Sequence, residues 1–384
     1  MKKPLFLKFV WSFFAISFFN ACSSPDPGYL MYVGTYTGHG SEGIYAYRFK
    51  PENGELSPIG LVAKTDNPSF IAIDSAGRFL YAVNELDSFQ NKPVGAISVF
   101  EINRKTGNLK LLQQISSLGA APAHLSLDKS NRFLFVANYN GGNSAVFPIE
   151  SDGRLGQHTA FIQDTGSSVN PERQSGPHAH FIQVTSDNNF IMIADLGIDK
   201  VLVYRFDSVN GLISTNEPGF SDLDPGSGPR HIAFASSGEF VYVLNELAST
   251  ITIFSFESET GRMEKHQTIS SLPENFTGMN TAAEIVIDAK GRYLYVSNRG
   301  DNSIGCFAVN PKDGTLTPVD WVSSGGKTPR NFEIDPTGQW LLAANQDSDN
   351  IVIFRIDQQT GKLKQVSDSI QLSSPVCIRF MITN

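Results

Sequence analysis

The chain has 384 residues, 41% hydrophobic and only 18% charged, so it can bury a sizeable core and is not a disordered segment. A formal net charge of −8 argues against a nucleic-acid partner, because that role needs a surplus of lysine and arginine to neutralise phosphates. With 33 glycines and 20 prolines, the composition favours many turns over long helices.

The N-terminus reads as a targeting segment. Lys2, Lys3 and Lys8 supply a basic start, and residues 9–19 form an apolar run of signal-peptide length, too short to cross a bilayer as a helix. Phe19-Asn20-Ala21-Cys22-Ser23-Ser24 then resembles a bacterial lipoprotein signal, except that Phe19 replaces the usual aliphatic residue. The expected organisation is a leader over 1–21, a tether over 22–29 beginning at an acylated Cys22, and one domain over 30–384. This predicts export to the periplasm or cell envelope, with the membrane as a partner through the lipid. Cys306 and Cys377 lie in apolar runs and are expected to be buried free thiols rather than a disulfide scaffold.

From residue 30 onward the chain repeats itself. An aromatic residue, an apolar run and then Asn or Asp recur at 79–84, 133–138, 190–195, 240–245, 293–298 and 340–345, with 30–34 as a truncated first copy. A second apolar module follows each, at 44–47, 97–100, 145–147, 201–204, 251–254, 304–307 and 351–354. Glycine-centred turns come next, at Gly54, Gly107, Gly153, Gly211, Gly261, Gly314 and Gly361, and are read as closing each unit. A further strand, usually behind proline, opens the next unit: Pro68-Ser69-Phe70, Pro122-Ala123-His124, Pro177-His178-Ala179-His180, Pro229-Arg230-His231, Ala283-Glu284-Ile285, Pro329-Arg330-Asn331 and Pro375-Val376-Cys377.

A period of roughly 50 residues with four strands per unit predicts an all-β, seven-bladed β-propeller of four-stranded antiparallel blades. Because the chain starts at a second strand and ends at a first, its C-terminal strand should complete the first blade.

In such a blade the start of the innermost strand and the end of the next meet on one face, which nominates two rings around the channel mouth. The first holds Ala123, His124, His178, His180, Arg230, His231, Glu284, Arg330 and Asn331; the second holds Glu85, Tyr139, Leu196, Glu246, Arg299 and Gln346. A purely structural repeat would favour one residue type at each position, whereas these vary and are rich in His, Arg and Glu, as a ligand site would be. Glu246, His178 or His180 is placed to activate water, and Arg230, Arg299 and Arg330 to stabilise an oxyanion or hold an anionic group. That chemistry suits hydrolysis of a reactive ester. No Gly-x-Ser-x-Gly elbow is present, and neither metal nor cofactor is expected, since His178, His180 and Glu246 do not define a ligand set.

Residues 32–37, Asn170-Pro171-Glu172-Arg173-Gln174, Gly176-Pro177-His178-Ala179-His180, Gly226-Ser227-Gly228-Pro229-Arg230-His231, Leu244-Asn245-Glu246, Ser297-Asn298-Arg299-Gly300 and Gly326-Lys327-Thr328-Pro329-Arg330-Asn331 together resemble the lactonase propeller family. The family includes propeller-type 6-phosphogluconolactonases and, more distantly, muconate-cycloisomerising enzymes. The resemblance covers nearly the whole chain from Tyr32 and implies a lactone hydrolase acting on a small-molecule lactone. It assigns catalysis to His178, His180, Arg230, Glu246 and Arg299. Substrate binding falls to Glu172, Arg173, His124, His231, Glu284, Arg330 and Lys327. Phosphorylated sugar lactones are cytoplasmic, so the N-terminal export signal points to an unphosphorylated lactone or another ester as substrate. The alternatives are a non-catalytic surface propeller that binds carbohydrate or protein, and a lactonising cycloisomerase.

Overall fold

The computed structural model describes Met1, residues 28–366 and residues 369–382. The expected leader after Met1 and the tether up to residue 27, Cys22 included, lie outside the described residues.

Seven antiparallel sheets follow one another along the chain. Numbered from the N-terminus, blade one places Pro375–Ile382 innermost, followed outward by Tyr29–Thr35, Gly43–Lys50 and Glu55–Lys64. The closure predicted from the repeat phase is therefore present: Tyr29 pairs with Ile382 at one end of the sheet, and Thr35 with Pro375 at the other. The innermost strands of blades two to seven are Ile71–Ile73, Pro122–Leu127, Ala179–Val184, Pro229–Phe234, Thr281–Ile287 and Pro329–Ile334. Each touches its neighbours, and Pro329–Ile334 and Ile71–Ile73 both touch Pro375–Ile382, so the ring is closed.

Five of the seven second strands, Phe79–Asn84, Phe133–Asn138, Phe190–Asp195, Phe240–Asn245 and Trp340–Asn345, are buried along their whole length. Burial on both faces explains why these runs lack polar alternation. Their side chains interlock across blades: Phe190 and Met192 of blade four pack with Val241 and Val243 of blade five. Each such burial contributes about 1.5–3 kcal/mol.

The glycine turns lie between the third and fourth strands, not at the end of the unit; Gly54, for example, separates Gly43–Lys50 from Glu55–Lys64. Six of the seven, all but Gly107, also admit an aromatic ring from the preceding blade around the ring. A Cβ on Gly153 would meet Phe79 at 2.5 Å, one on Gly314 would meet Phe240 at 2.5 Å, and one on Gly361 would meet Tyr293 at 2.4 Å. These glycines also have positive φ, so a side chain would be excluded twice over.

Candidate functional site

A recurring β-bulge builds the mouth of the channel. Pairing of the inner strand with the second strand skips one residue between Pro122 and His124, Ala179 and Phe181, Pro229 and His231, and Pro329 and Asn331. The skipped residues are Ala123, His180, Arg230 and Arg330, and a bulge of this kind re-aims the side chain it carries. His124, Phe181, His231 and Asn331, which follow it, form a lower tier together with Phe70 and Glu284, the latter from the wider irregularity of blade six between Ala282 and Ile285.

This register corrects one reading of the sequence. In blade four Ala179, not Pro177, pairs with Asp195, so His180, and not His178, is equivalent to Arg230 and Arg330. His178 precedes the strand and stacks on Tyr139, with ring centroids 4.4 Å apart and planes 16° apart. His180 meets the same tyrosine edge-on at 5.5 Å. The two histidines are thus gathered by a bulge and a shared aromatic ring.

Glu246 is the hub of the upper tier. Arg173 Nη2 donates to its Oε1 at 2.7 Å, while Arg230 Nε and Arg299 Nη2 lie 3.0 and 2.9 Å from its Oε2. Burial would raise this carboxyl, but Arg299, Arg230 and Arg173 outweigh it and hold it down to about 2. Arg230 is itself buried; desolvation and the nearby Arg299 and Arg330 lower it to about 9, which leaves it cationic at neutral pH. Arg173 arrives from the loop after blade three, where Asn170 Oδ1 accepts from the backbone N–H groups of Glu172 and Arg173.

On the opposite rim Tyr36 donates to Glu85 at 2.8 Å, and Arg330 lies over the Tyr36 ring 5.2 Å from its centre. Arg330 Nη2 is 3.9 Å from Glu85. The mouth therefore sets four guanidiniums, those of Arg173, Arg230, Arg299 and Arg330, against the two carboxylates Glu85 and Glu246.

The lower tier is partly aromatic and partly polar. His124 packs between Phe70 and Phe181 at 4.2 and 4.3 Å, and burial drives its ring well below the ordinary histidine range. It is a neutral packing element here, not a group facing the mouth. His231 Nδ1 is 2.7 Å from Glu284 Oε1, Asn331 Nδ2 donates to Glu284 Oε2, and the Ile378 N–H donates to Asn331 Oδ1 at 2.8 Å.

Two of the sequence-derived candidates are not brought in. Glu172 and Lys327 are exposed, and Lys327 is held through its backbone, whose N–H donates to Ser348 Oγ and whose carbonyl accepts from the Asp347 N–H. Conversely Tyr36, absent from both sequence rings, and Glu85 and Tyr139, named there without a role, contact the arginines directly. Tyr36 directly follows Thr35, which stands where other blades place the Asn or Asp that marks the register. Among the described residues no three His, Cys, Asp or Glu side chains gather as a metal-binding group.

Comparison with known proteins adds to this geometry. Residues 30–380 match the family model described as lactonase, seven-bladed β-propeller. The chain is 35% identical to a 6-phosphogluconolactonase of Bacillus subtilis over 353 residues, which cover 92% of this chain and 98% of that one. It is 33% identical to a 6-phosphogluconolactonase of Formosa agariphila over 307 residues, covering 79% and 85% of the two chains. Among solved structures, the periplasmic gluconolactonase of Pseudomonas aeruginosa is similar at a TM-score of 0.86 with 35% identity, covering 93% of this chain and 100% of that one.

Proposed function

The chain belongs to the seven-bladed lactonase β-propeller family, and from that premise we propose that it is a carboxylic-ester hydrolase of the 6-phosphogluconolactonase type, opening a sugar lactone by attack of water. The observation that carries this reading is the excess of guanidinium at the mouth. Four arginines converge there and only two carboxylates offset them, so a bound anion and the oxyanion of a tetrahedral intermediate are both favoured.

Within that reading, Arg173 and Arg330, the more accessible pair, hold the anionic group of the substrate, and Arg230 and Arg299 stabilise the developing oxyanion. Glu246 organises the arginines and does not take a proton. Both its oxygens are engaged, and a carboxyl held near 2 is far too weak a base at neutral pH. His178 and His180 form the wall over which the sugar ring lies, with Tyr139 between them.

A second reading, an unphosphorylated gluconolactone as substrate, is favoured by the N-terminal sequence and by the likeness to a periplasmic gluconolactonase. We assign residues 1–21 as an export leader and Cys22 as its acylation site. Fractionation of expressing cells tests this: wild type should be found with membranes, and Cys22→Ala should be released or retained unprocessed.

A pH-indicator assay on protein lacking residues before Cys22, run with phosphorylated and free gluconolactone and corrected for spontaneous hydrolysis, tests the activity. Turnover of neither substrate above the spontaneous rate would remove the proposal.

A further inference from the structure

Beneath the arginines lies a void of about 10 Å³, walled by residues including Ser69, Ala123, Arg230, His231, Glu284 and Arg330. That is about the room one water molecule needs, provided polar partners surround it. Two buried wall residues carry suitable atoms: Ser69 Oγ and His231 Nε2 make no hydrogen bond to another described residue.

The orientation of His231 is fixed. Burial would raise the Glu284 carboxyl, but His231, Arg379 and Arg230 hold it down to about 2, so it is a carboxylate at neutral pH and accepts only. The 2.7 Å contact then requires the proton on His231 Nδ1, which leaves the Nε2 lone pair on the side of the ring away from Glu284. Glu284 is held in turn by Asn331, and Asn331 by the backbone of Ile378, so the relay crosses blades five, six, seven and one. A carboxylate, an imidazole and a water-sized space in this order make the arrangement that orients a general base.

We infer that His231 is the catalytic base of the lactonase reaction, taking a proton from the attacking water at Nε2, and that Glu284 is its positioning residue. The water oxygen bonds to the lactone carbonyl carbon while its proton passes to Nε2, and the carbonyl electron pair becomes an oxyanion facing Arg230. Collapse of the intermediate breaks the ring C–O bond, and the proton on Nε2 returns to the departing ring oxygen, giving the hydroxy acid and neutral His231.

His180 is the competing base, but it fits less well. Its Nδ1 has no partner among the described residues, and Arg230, Arg330 and Arg299 oppose a positive charge on it with no carboxylate to offset them. No carboxylate sets its tautomer. Burial, Arg230 and Arg379 also disfavour the charged form of His231 and lower it to about 4, but there Glu284 partly offsets them, so the acid limb of wild type is expected on the acid side of the ordinary histidine range.

This inference rests on the lactonase reading, and the experiment separates the two. The pH dependence of kcat is measured for wild type, His231→Gln and Glu284→Gln, with folding checked by circular dichroism and thermal melting. For His231→Gln, kcat should fall about 10²–10⁴-fold while KM changes by less than about 3-fold. Glu284→Gln removes the charge that favours imidazolium, so the acid limb of kcat should move to lower pH. An active wild type in which either folded variant keeps kcat within about 5-fold and its acid limb in place would overturn the assignment. If His231→Gln does not fold, Glu284→Gln decides alone. A wild type without turnover would sink the lactonase reading itself, and this inference with it.

Discussion

Asp195 stands where five other blades place Asn84, Asn138, Asn245, Asn298 and Asn345, and its carboxyl faces that of Asp164. In blades three, six and seven this asparagine reaches back to the preceding blade, donating to the carbonyls of Ser117, Ser271 and Ser324 at 2.9–3.0 Å. An aspartate cannot donate when ionised, and three of the four carboxyl oxygens of the pair have no other partner. A proton retained on Asp164 restores the latch. Burial and the neighbouring Asp195 push Asp164 up to about 9.

Asp164→Asn should therefore stabilise the protein, and more so as pH rises. The folded state must keep a proton that the unfolded chain loses near 4, so the wild-type penalty grows from about pH 4 toward 9. Melting curves at pH 5 and pH 8 should show the gain of the variant larger at pH 8, by about 2–5 °C. An equal gain at both values would contradict the shared proton.

Glu246→Gln should cost both stability and catalysis, since it leaves three guanidiniums facing one another without a counter-charge. Stripping one partner from a buried ion pair typically costs about 3–5 kcal/mol, measurable as a shift in denaturant midpoint. Wild type should show the matching acid sensitivity. Because the folded carboxyl is depressed, its stabilisation is complete above the unfolded value of about 4.5 and is lost as pH falls toward 2.

Arg173→Ala tests which substrate the mouth prefers. Arg173 has its side chain 39% exposed at the rim, so its loss should leave the fold intact. KM for a phosphorylated lactone should rise by about 10-fold and KM for the free lactone by much less, because a charge-assisted hydrogen bond is worth about 1.5–3 kcal/mol. Equal rises would mean that this arginine does not contact the phosphate.

Gly314→Ala should destabilise without altering the site. The new methyl would sit 2.5 Å from the Phe240 ring at a φ of 71°. The sum of backbone strain and overpacking is about 2–4 kcal/mol, to be read from chemical denaturation, with kcat per folded molecule unchanged.

Blade number, strand count and ring closure were legible because each rests on the same signal occurring seven times, so an imperfect copy such as 30–34 is carried by the others. The arginine and glutamate positions of the mouth were legible for the same reason: Arg230, Glu246, Arg299 and Arg330 sit at fixed offsets from a repeating strand. Where the repeat deviates, the reading slipped. Pro177 imitates the proline that opens other inner strands, although pairing begins two residues later, at Ala179, and this displaced His178. Lys327 and Glu172 lie within recognisable motifs, but loop geometry, which has no periodic signature, turns them to solvent. The contacts of Arg173 with Glu246 and of Asp164 with Asp195 join residues in different units, and no spacing along the chain announces them.

The antiparallel pairing of Tyr29–Thr35 with Pro375–Ile382 has a directional consequence. Thr35 and Pro375 meet at the end of the sheet that bears the arginine cluster, so Tyr29 and Ile382 meet at the opposite end. The described chain therefore enters the propeller at Gly28 on the side away from the entrance, and a partner fused directly at that residue would start beneath the wheel. Attachment and access to the ligand would then not compete for the same side of the molecule.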